Sequence, residues 1–204
     1  MEKETARIEA FSDAVFAIAI TLLILDLHVP DKDIVTANNS LAGFLATQWP
    51  SYAAFGLSFF SLFVIWVNHH KIFKQIYQRN TAVMFSNGAI LFLITILSYP
   101  TALLAKFYNT ESGSTVTAIY TGVFVLINLS FNWLWYVAGK NRSLLRPDIT
   151  VKAVKQIRRN YLLGFPVYVV AFSFSFYWPT VALVICAVMW LFWIPASAKL
   201  ELET

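Results

Sequence analysis

The sequence is short of the residues from which most catalytic and metal-binding sites are built. It holds one cysteine and three histidines, and charged side chains make up only 13% of it. A single cysteine excludes an internal disulfide, and without a CxxC pair a Cys/His metal framework is excluded as well. Cys186 lies in the run Ala182-Leu-Val-Ile-Cys186-Ala-Val-Met189 and reads as a small apolar filler. HExxH, GxSxG and GxGxxG are missing, so no metalloprotease, hydrolase or dinucleotide-binding signature points to an enzyme. GYG is missing too, which excludes a carbonyl filter of the TVGYG type. The Met-Glu-Lys-Glu start has no signal-peptide cleavage site behind it, so the first apolar segment is expected to be retained.

What remains is apolar. Hydrophobic residues make up 58% of the 204, with 18 Phe and 7 Trp, far from the norm of soluble domains. Six apolar segments can be counted, at about 8–28, 50–72, 83–105, 115–138, 160–176 and 179–197. Tyr177-Trp178-Pro179 separates the last two, a helix stop with interfacial aromatics. Six spans put both termini on one side of a bilayer. With that side cytoplasmic, all of the 15 Lys and Arg residues except Lys32 and Lys106 are cytoplasmic, as the positive-inside rule requires. The formal charge of +4 then sets topology and gives no reason to expect a nucleic-acid partner. The expectation is one all-α membrane domain over 1–204, with six transmembrane helices, both termini cytoplasmic and a basic cytoplasmic loop at about 139–159. That loop is a topology-setting segment with a second reading as a contact for anionic headgroups.

The first segment is the most informative. Between Asp13 and Asp26 the only polar side chain in twelve residues is Thr21. At about 100° per residue, Arg7, Phe11, Ala14, Leu22 and Leu25 fall within about 40° of Ile18, and Thr21 within about 60°. Glu9, Ser12 and Asp13 fall on the opposite side. A carboxylate such as Asp13 inside a membrane helix costs on the order of 3 kcal/mol at the bilayer centre, less near an end, and is a functional candidate by default. On residues alone, Ile18, Leu22 and Leu25 are helix-packing positions. Thr21 can satisfy its hydroxyl on its own backbone. Arg7 is either a topology charge or a partner for Asp13.

The second segment ends Ile65-Trp66-Val-Asn68-His69-His70-Lys71, and the third carries Ser86-Asn87 one or two turns in. Ser12, Asp13, Trp66, Asn68, His69, His70 and Asn87 therefore share one depth on three helices. Such a cluster serves as interhelical polar glue, as a proton relay, or as a metal or haem site. His69 and His70 point about 100° apart on a helix, so they do not readily share one metal, and His28 is at the other membrane surface.

Arg7, Phe11, Ser12 and Asp13, spaced Arg-x-x-x-Phe-Ser-Asp, resemble the signature of the lysosomal potassium channel family, transmembrane protein 175, and its bacterial relatives. The following Ala-Ile-Ala-Ile-Thr-Leu-Leu, the Trp66-x-Asn68-His69-His70 cluster and Asn87 resemble that family too, as does the six-span layout. The resemblance implies a homotetrameric potassium channel with one repeat per subunit, embedded in a prokaryotic cell membrane, with potassium as the permeant ion and no cofactor. It implies that the first helix lines the pore, with Ile18, Leu22 and Leu25 as hydrophobic constrictions and Thr21 as a hydroxyl layer bearing on cation preference. A different class stays open: a proton-coupled transporter built on Asp13 and the His69/His70 cluster.

Overall fold

A computed structural model of the chain describes residues 4–27, 29–30 and 40–202, the last seven by backbone alone. His28, Lys32 and the rest of the stretch 31–39 lie outside the described residues. Among the described residues the secondary structure is helical, with one isolated bridge between Ile76 and Leu145. Helix α1 runs Ala6–Leu22 and continues as a 3-10 turn over Leu23–Asp26. A short α2 (Leu41–Thr47) precedes α3 (Trp49–Phe73), then α4 (Thr81–Ile96), α5 (Ser98–Phe107) and α6 (Gly113–Lys140). The last two are α7 (Val151–Phe174) and α8 (Pro179–Leu202).

Local chemistry sets the helix starts. Ser40, Asn80 and Thr150 cap α2, α4 and α7, each side-chain oxygen accepting the backbone N–H three residues on. Pro50 occupies the first turn of α3, where a missing N–H costs nothing. The third apolar segment is broken at Leu97. Pro100 lacks an N–H and its ring clashes with the carbonyl four residues back, so α4 and α5 meet at a kink.

Among the described residues four stretches are long and apolar enough to cross a bilayer: Ala6–Asp26, Trp49–Phe73, Thr81–Phe107 and Gly113–Lys140. The apolar part of α8, Pro179–Pro195, is shorter. Helix α7 begins at Val151, inside the segment expected to be a loop. That expectation is corrected: about a third of α7 is the charged stretch around Lys152, Lys155, Arg158 and Arg159, because a Thr150 cap starts the helix before the apolar run begins. The connection between the first two apolar segments likewise contains α2.

Helix α6 is the hub, packed against α4, α5, α7 and α8, while α3 packs against α1, α5 and α8. Gly164 permits the close approach of α7: a Cβ there would lie 2.8 Å from the Trp193 ring and 2.9 Å from Asn128 Nδ2. Helix α1 is peripheral, seated mainly on α3 and α4, with its 3-10 continuation also reaching α5. Its buried positions are Ser12, Phe16 and Ala19, continued by Leu23 in the 3-10 turn. That spacing of three and four is a single narrow seam.

At the basic end the chain start is tied down. Thr5 Oγ1 donates to Ile76 O at 3.0 Å and to Glu9 Oε1 at 2.7 Å, and Glu4 N donates to Tyr77 O at 3.0 Å. Tyr77 N in turn donates to Leu144 O, and Arg146 N to Gln75 O. Arg146 also pairs with Asp148, and its guanidinium holds that exposed carboxyl below its ordinary value.

Candidate functional site

With one seam of α1 buried, the opposite stripe is left open. Phe11, Ile18, Leu22 and Leu25 are 64%, 58%, 46% and 69% exposed, and Arg7, Ala14 and Thr21 on the same stripe are exposed as well. The 3-10 turn affects this stripe. Three residues per turn eclipses positions i and i+3, so Leu25 stands directly beyond Leu22. With the longer 3-10 rise, the axial distance from Ile18 to Leu25 becomes about 12 Å, rather than the about 10 Å of a continuous α-helix. Thr21 Oγ1 donates to Ala17 O at 2.9 Å and Ile18 O at 3.0 Å, so its proton is spent on its own helix. The hydroxyl oxygen stays on the open stripe and can still accept.

Behind the stripe, a chain of hydrogen bonds locks α1 to its neighbours. Ser12 Oγ donates to Ile8 O at 2.8 Å, so it can only accept from Asn87 Nδ2, at 3.0 Å. That fixes Asn87 Oδ1 as the acceptor facing His69 Nε2 at 2.8 Å, and hence places the His69 proton on Nε2. The direction is His69 to Asn87 to Ser12 to a main-chain carbonyl. A relay ending on an amide and a carbonyl has no acceptor that can release a proton onward, so this geometry suits holding helices together. His69 is buried, its ring stacked on Phe73 at 4.5 Å and tilted against Phe16 at 5.2 Å.

A second contact lies beside the first. The Trp66 indole N–H donates to Asp13 Oδ1 at 2.9 Å, and the His70 ring centroid lies 6.2 Å from that of Trp66. Asp13 is therefore bound by the indole, while Arg7, one turn and a half away, is exposed on the open stripe. The structure thus assembles Ser12, Asp13, Trp66, His69 and Asn87, with His70 at the edge. It does not bring in Asn68. That part of the expected cluster is corrected: Asn68 Nδ2 donates to Val64 O of its own helix at 2.8 Å, and the side chain faces a cavity toward α6 and α7. One residue on a helix is 100°, enough to send Asn68 and His69 to different neighbours. Among the described residues no group of three or more His, Cys, Asp or Glu is placed to hold a metal.

Sequence reasoning missed a second buried chain. Thr101 Oγ1 donates to Leu97 O, so Ser58 must donate to Thr101 (2.8 Å) and Tyr120 to Ser58 (3.1 Å). It joins α3, α5 and α6. Three hydroxyls inside apolar runs were its signal, since a buried tyrosine hydroxyl needs a partner.

The family model described as endosomal/lysosomal potassium channel TMEM175 matches residues 7–98, the portion that contains the open stripe and its lock. A potassium channel of Chamaesiphon minutus is 41% identical over 188 residues, 92% of each chain. A potassium channel of Streptomyces collinus is 40% identical over 162 residues, 79% of this chain and 77% of that one. The crystal structure of a lysosomal potassium-selective channel TMEM175 homolog from Chamaesiphon minutus superposes with a TM-score of 0.85 at 39% identity, covering 95% of this chain and 98% of that one.

Proposed function

The chain belongs to the TMEM175 family, and from that premise we propose that it is a potassium-permeable cation channel whose pore is lined by the first helix of four identical subunits. The observation that carries this reading is the stripe Phe11, Ile18, Leu22 and Leu25, left exposed on a helix that buries only its opposite seam. Arg7 at the start of the stripe suits the membrane end in either setting, but the free acceptor capacity of the Thr21 oxygen, mid-stripe, has no partner among acyl chains and has one on a central axis. Fourfold repetition would stack Ile18, Leu22 and Leu25 as apolar rings over about 12 Å, a barrier that closes by dewetting and conducts when the rings widen. Thr21, between the first two rings, would offer its oxygen to a partly dehydrated cation.

The same reading gives the remaining residues their places. Asp13, Trp66, His69, Asn87 and Ser12 hold the pore helix against α3 and α4, and His70 flanks Trp66. We further propose six membrane crossings in a prokaryotic cell membrane, with the basic end cytoplasmic. Helices α7 and α8 form the last two, the charged first third of α7 lying at the cytoplasmic surface. The transporter reading on Asp13 and the histidines is less favoured, because Asp13 is engaged by Trp66 and His69 is buried among aromatics.

The test is flux in proteoliposomes of the purified protein under imposed potassium, sodium and proton gradients. Rapid, non-saturating potassium flux altered by Ile18 substitutions is the expected result. Saturable flux that requires a proton gradient would overturn the channel reading in favour of coupled transport.

A further inference from the structure

Asn68, in the Trp66-x-Asn68-His69-His70 cluster, takes no part in the pore-helix lock. It lines a partly open cavity of about 30 Å³ between α3, α6, α7 and α8. The walls are mostly aromatic and aliphatic, yet polar atoms converge there from three helices. Ser61 and Asn68 come from α3, Asn128 from α6, and Tyr161 and Tyr168 from α7. Some of their valences are filled. Ser61 Oγ accepts from the Trp190 indole at 3.0 Å, Tyr168 Oη accepts from the Trp193 indole at 3.0 Å, and Asn128 Oδ1 accepts from Asn132 at 2.9 Å.

The remainder are not. Tyr168 has taken a hydrogen bond but still carries its own proton. Asn68 uses an N–H on Val64 O and keeps its carbonyl oxygen, and Asn128 keeps its amide N–H groups. Tyr161, 6% exposed, engages through its ring, on Phe131 at 5.3 Å and Trp193 at 5.0 Å, while its main-chain carbonyl is the atom that meets Asn132. Its hydroxyl has no hydrogen-bond partner among the described residues. Leaving such donors and acceptors unmet in a membrane interior costs several kcal/mol per group. A cavity needs about 10–15 Å³ to admit a water and two to four polar partners to keep it. This one has room for two, and donors and acceptors for both.

We propose that this cavity is a hydration site, in which one or two ordered waters bridge Asn68, Asn128 and the Tyr161 and Tyr168 hydroxyls. Asn68 and His69 then give α3 a polar attachment on two faces, direct to α1 and α4 on one and through water to α6 and α7 on the other. The inference rests on the packing of one subunit and is independent of the permeation reading.

X-ray radiolytic hydroxyl-radical footprinting of the intact protein tests it, because radicals born from a bound water label the aromatic ring beside it. Tyr120 is the internal control: it is fully buried, bonded to Ser58 and outside the cavity. Tyr161 and Tyr168 are expected to be modified well above the Tyr120 level if a water is bound beside them. In Asn68→Leu that excess should vanish, while exposed Tyr177 is labelled as before. Should Asn68→Leu fail to fold, Tyr161→Phe serves, with loss of Tyr168 labelling as its readout. Labelling of Tyr161 and Tyr168 at the Tyr120 level in the unaltered protein means a dry cavity and overturns the proposal. An excess that survives substitution also overturns it, since the water would then not be held by these groups.

Discussion

Replacing Asn87 with leucine should test how the first helix is held. Asn87→Leu keeps the branched shape, with bulkier methyl groups, and removes two interhelical hydrogen bonds, from His69 Nε2 and to Ser12 Oγ. Such bonds average about 0.6 kcal/mol each in membrane proteins, so the direct loss is about 1.2 kcal/mol. The larger effect is what remains behind. Ser12 still has Ile8 O, but the His69 N–H is left buried without an acceptor, at a further cost of about 1–3 kcal/mol. The total, about 2–4 kcal/mol, corresponds to a fall of roughly 5–15 °C in the unfolding midpoint of a chain this size.

The asymmetry gives the sharper test. In the double variant His69→Phe/Asn87→Leu both polar partners are gone, and phenylalanine suits a site already walled by Phe16, Phe73 and Phe131. The double variant should therefore be more stable than Asn87→Leu alone, although it carries one more mutation. Thermal unfolding in detergent, followed by size-exclusion of the folded protein, measures all four corners of the cycle. If the two substitutions simply add, the inferred hydrogen-bond chain and its direction are wrong.

Three further outcomes are expected. Asp13→Ala should lower folded yield by leaving the Trp66 indole without an acceptor, at about 1–3 kcal/mol, whereas Asp13→Asn should retain most of it; equally low yields for both would mean that the carboxylate's charge matters, and unaltered yields for both that the contact contributes nothing. Ile18→Ala should raise basal potassium leak in proteoliposomes, and an unchanged leak removes Ile18 from the barrier. Gly164→Ala should destabilise by about 1–3 kcal/mol through overpacking against Trp193 and Asn128, read as a drop in the unfolding midpoint; an unaltered midpoint would show that α7 has slack there.

The open stripe of α1 was legible because helical period is fixed at 3.6 residues, and a wheel therefore gives relative azimuth within one helix. Ile18, Leu22 and Leu25 on one side and Ser12 with Asp13 on the other follow from that alone. The depth of the polar cluster was legible for the same reason, since rise per residue is fixed too. Its membership was not. Trp66, Asn68, His69 and His70 are neighbours in sequence, and which of them meets Asp13 or Asn87 depends on how α3 is rotated against α1 and α4. A sequence read one helix at a time has no term for that rotation. The hydroxyl chain of Thr101, Ser58 and Tyr120 escaped notice on the same account, its members lying on three different helices.

By itself, then, the sequence determined the helical membrane class, the apolar length of the first four candidate spans and the two faces of the first helix. Each follows from composition or from the geometry of a single helix in a solvent that offers its backbone no partners. Tertiary structure decided the rest. It seated α1 at the edge of the bundle so that only one seam is covered. It turned Asn68 away from His69 toward a cavity between α3, α6, α7 and α8, and it brought Thr101, Ser58 and Tyr120 together from three helices. These depend on how neighbouring helices share space and hydrogen-bond partners, and no periodicity within one segment encodes that.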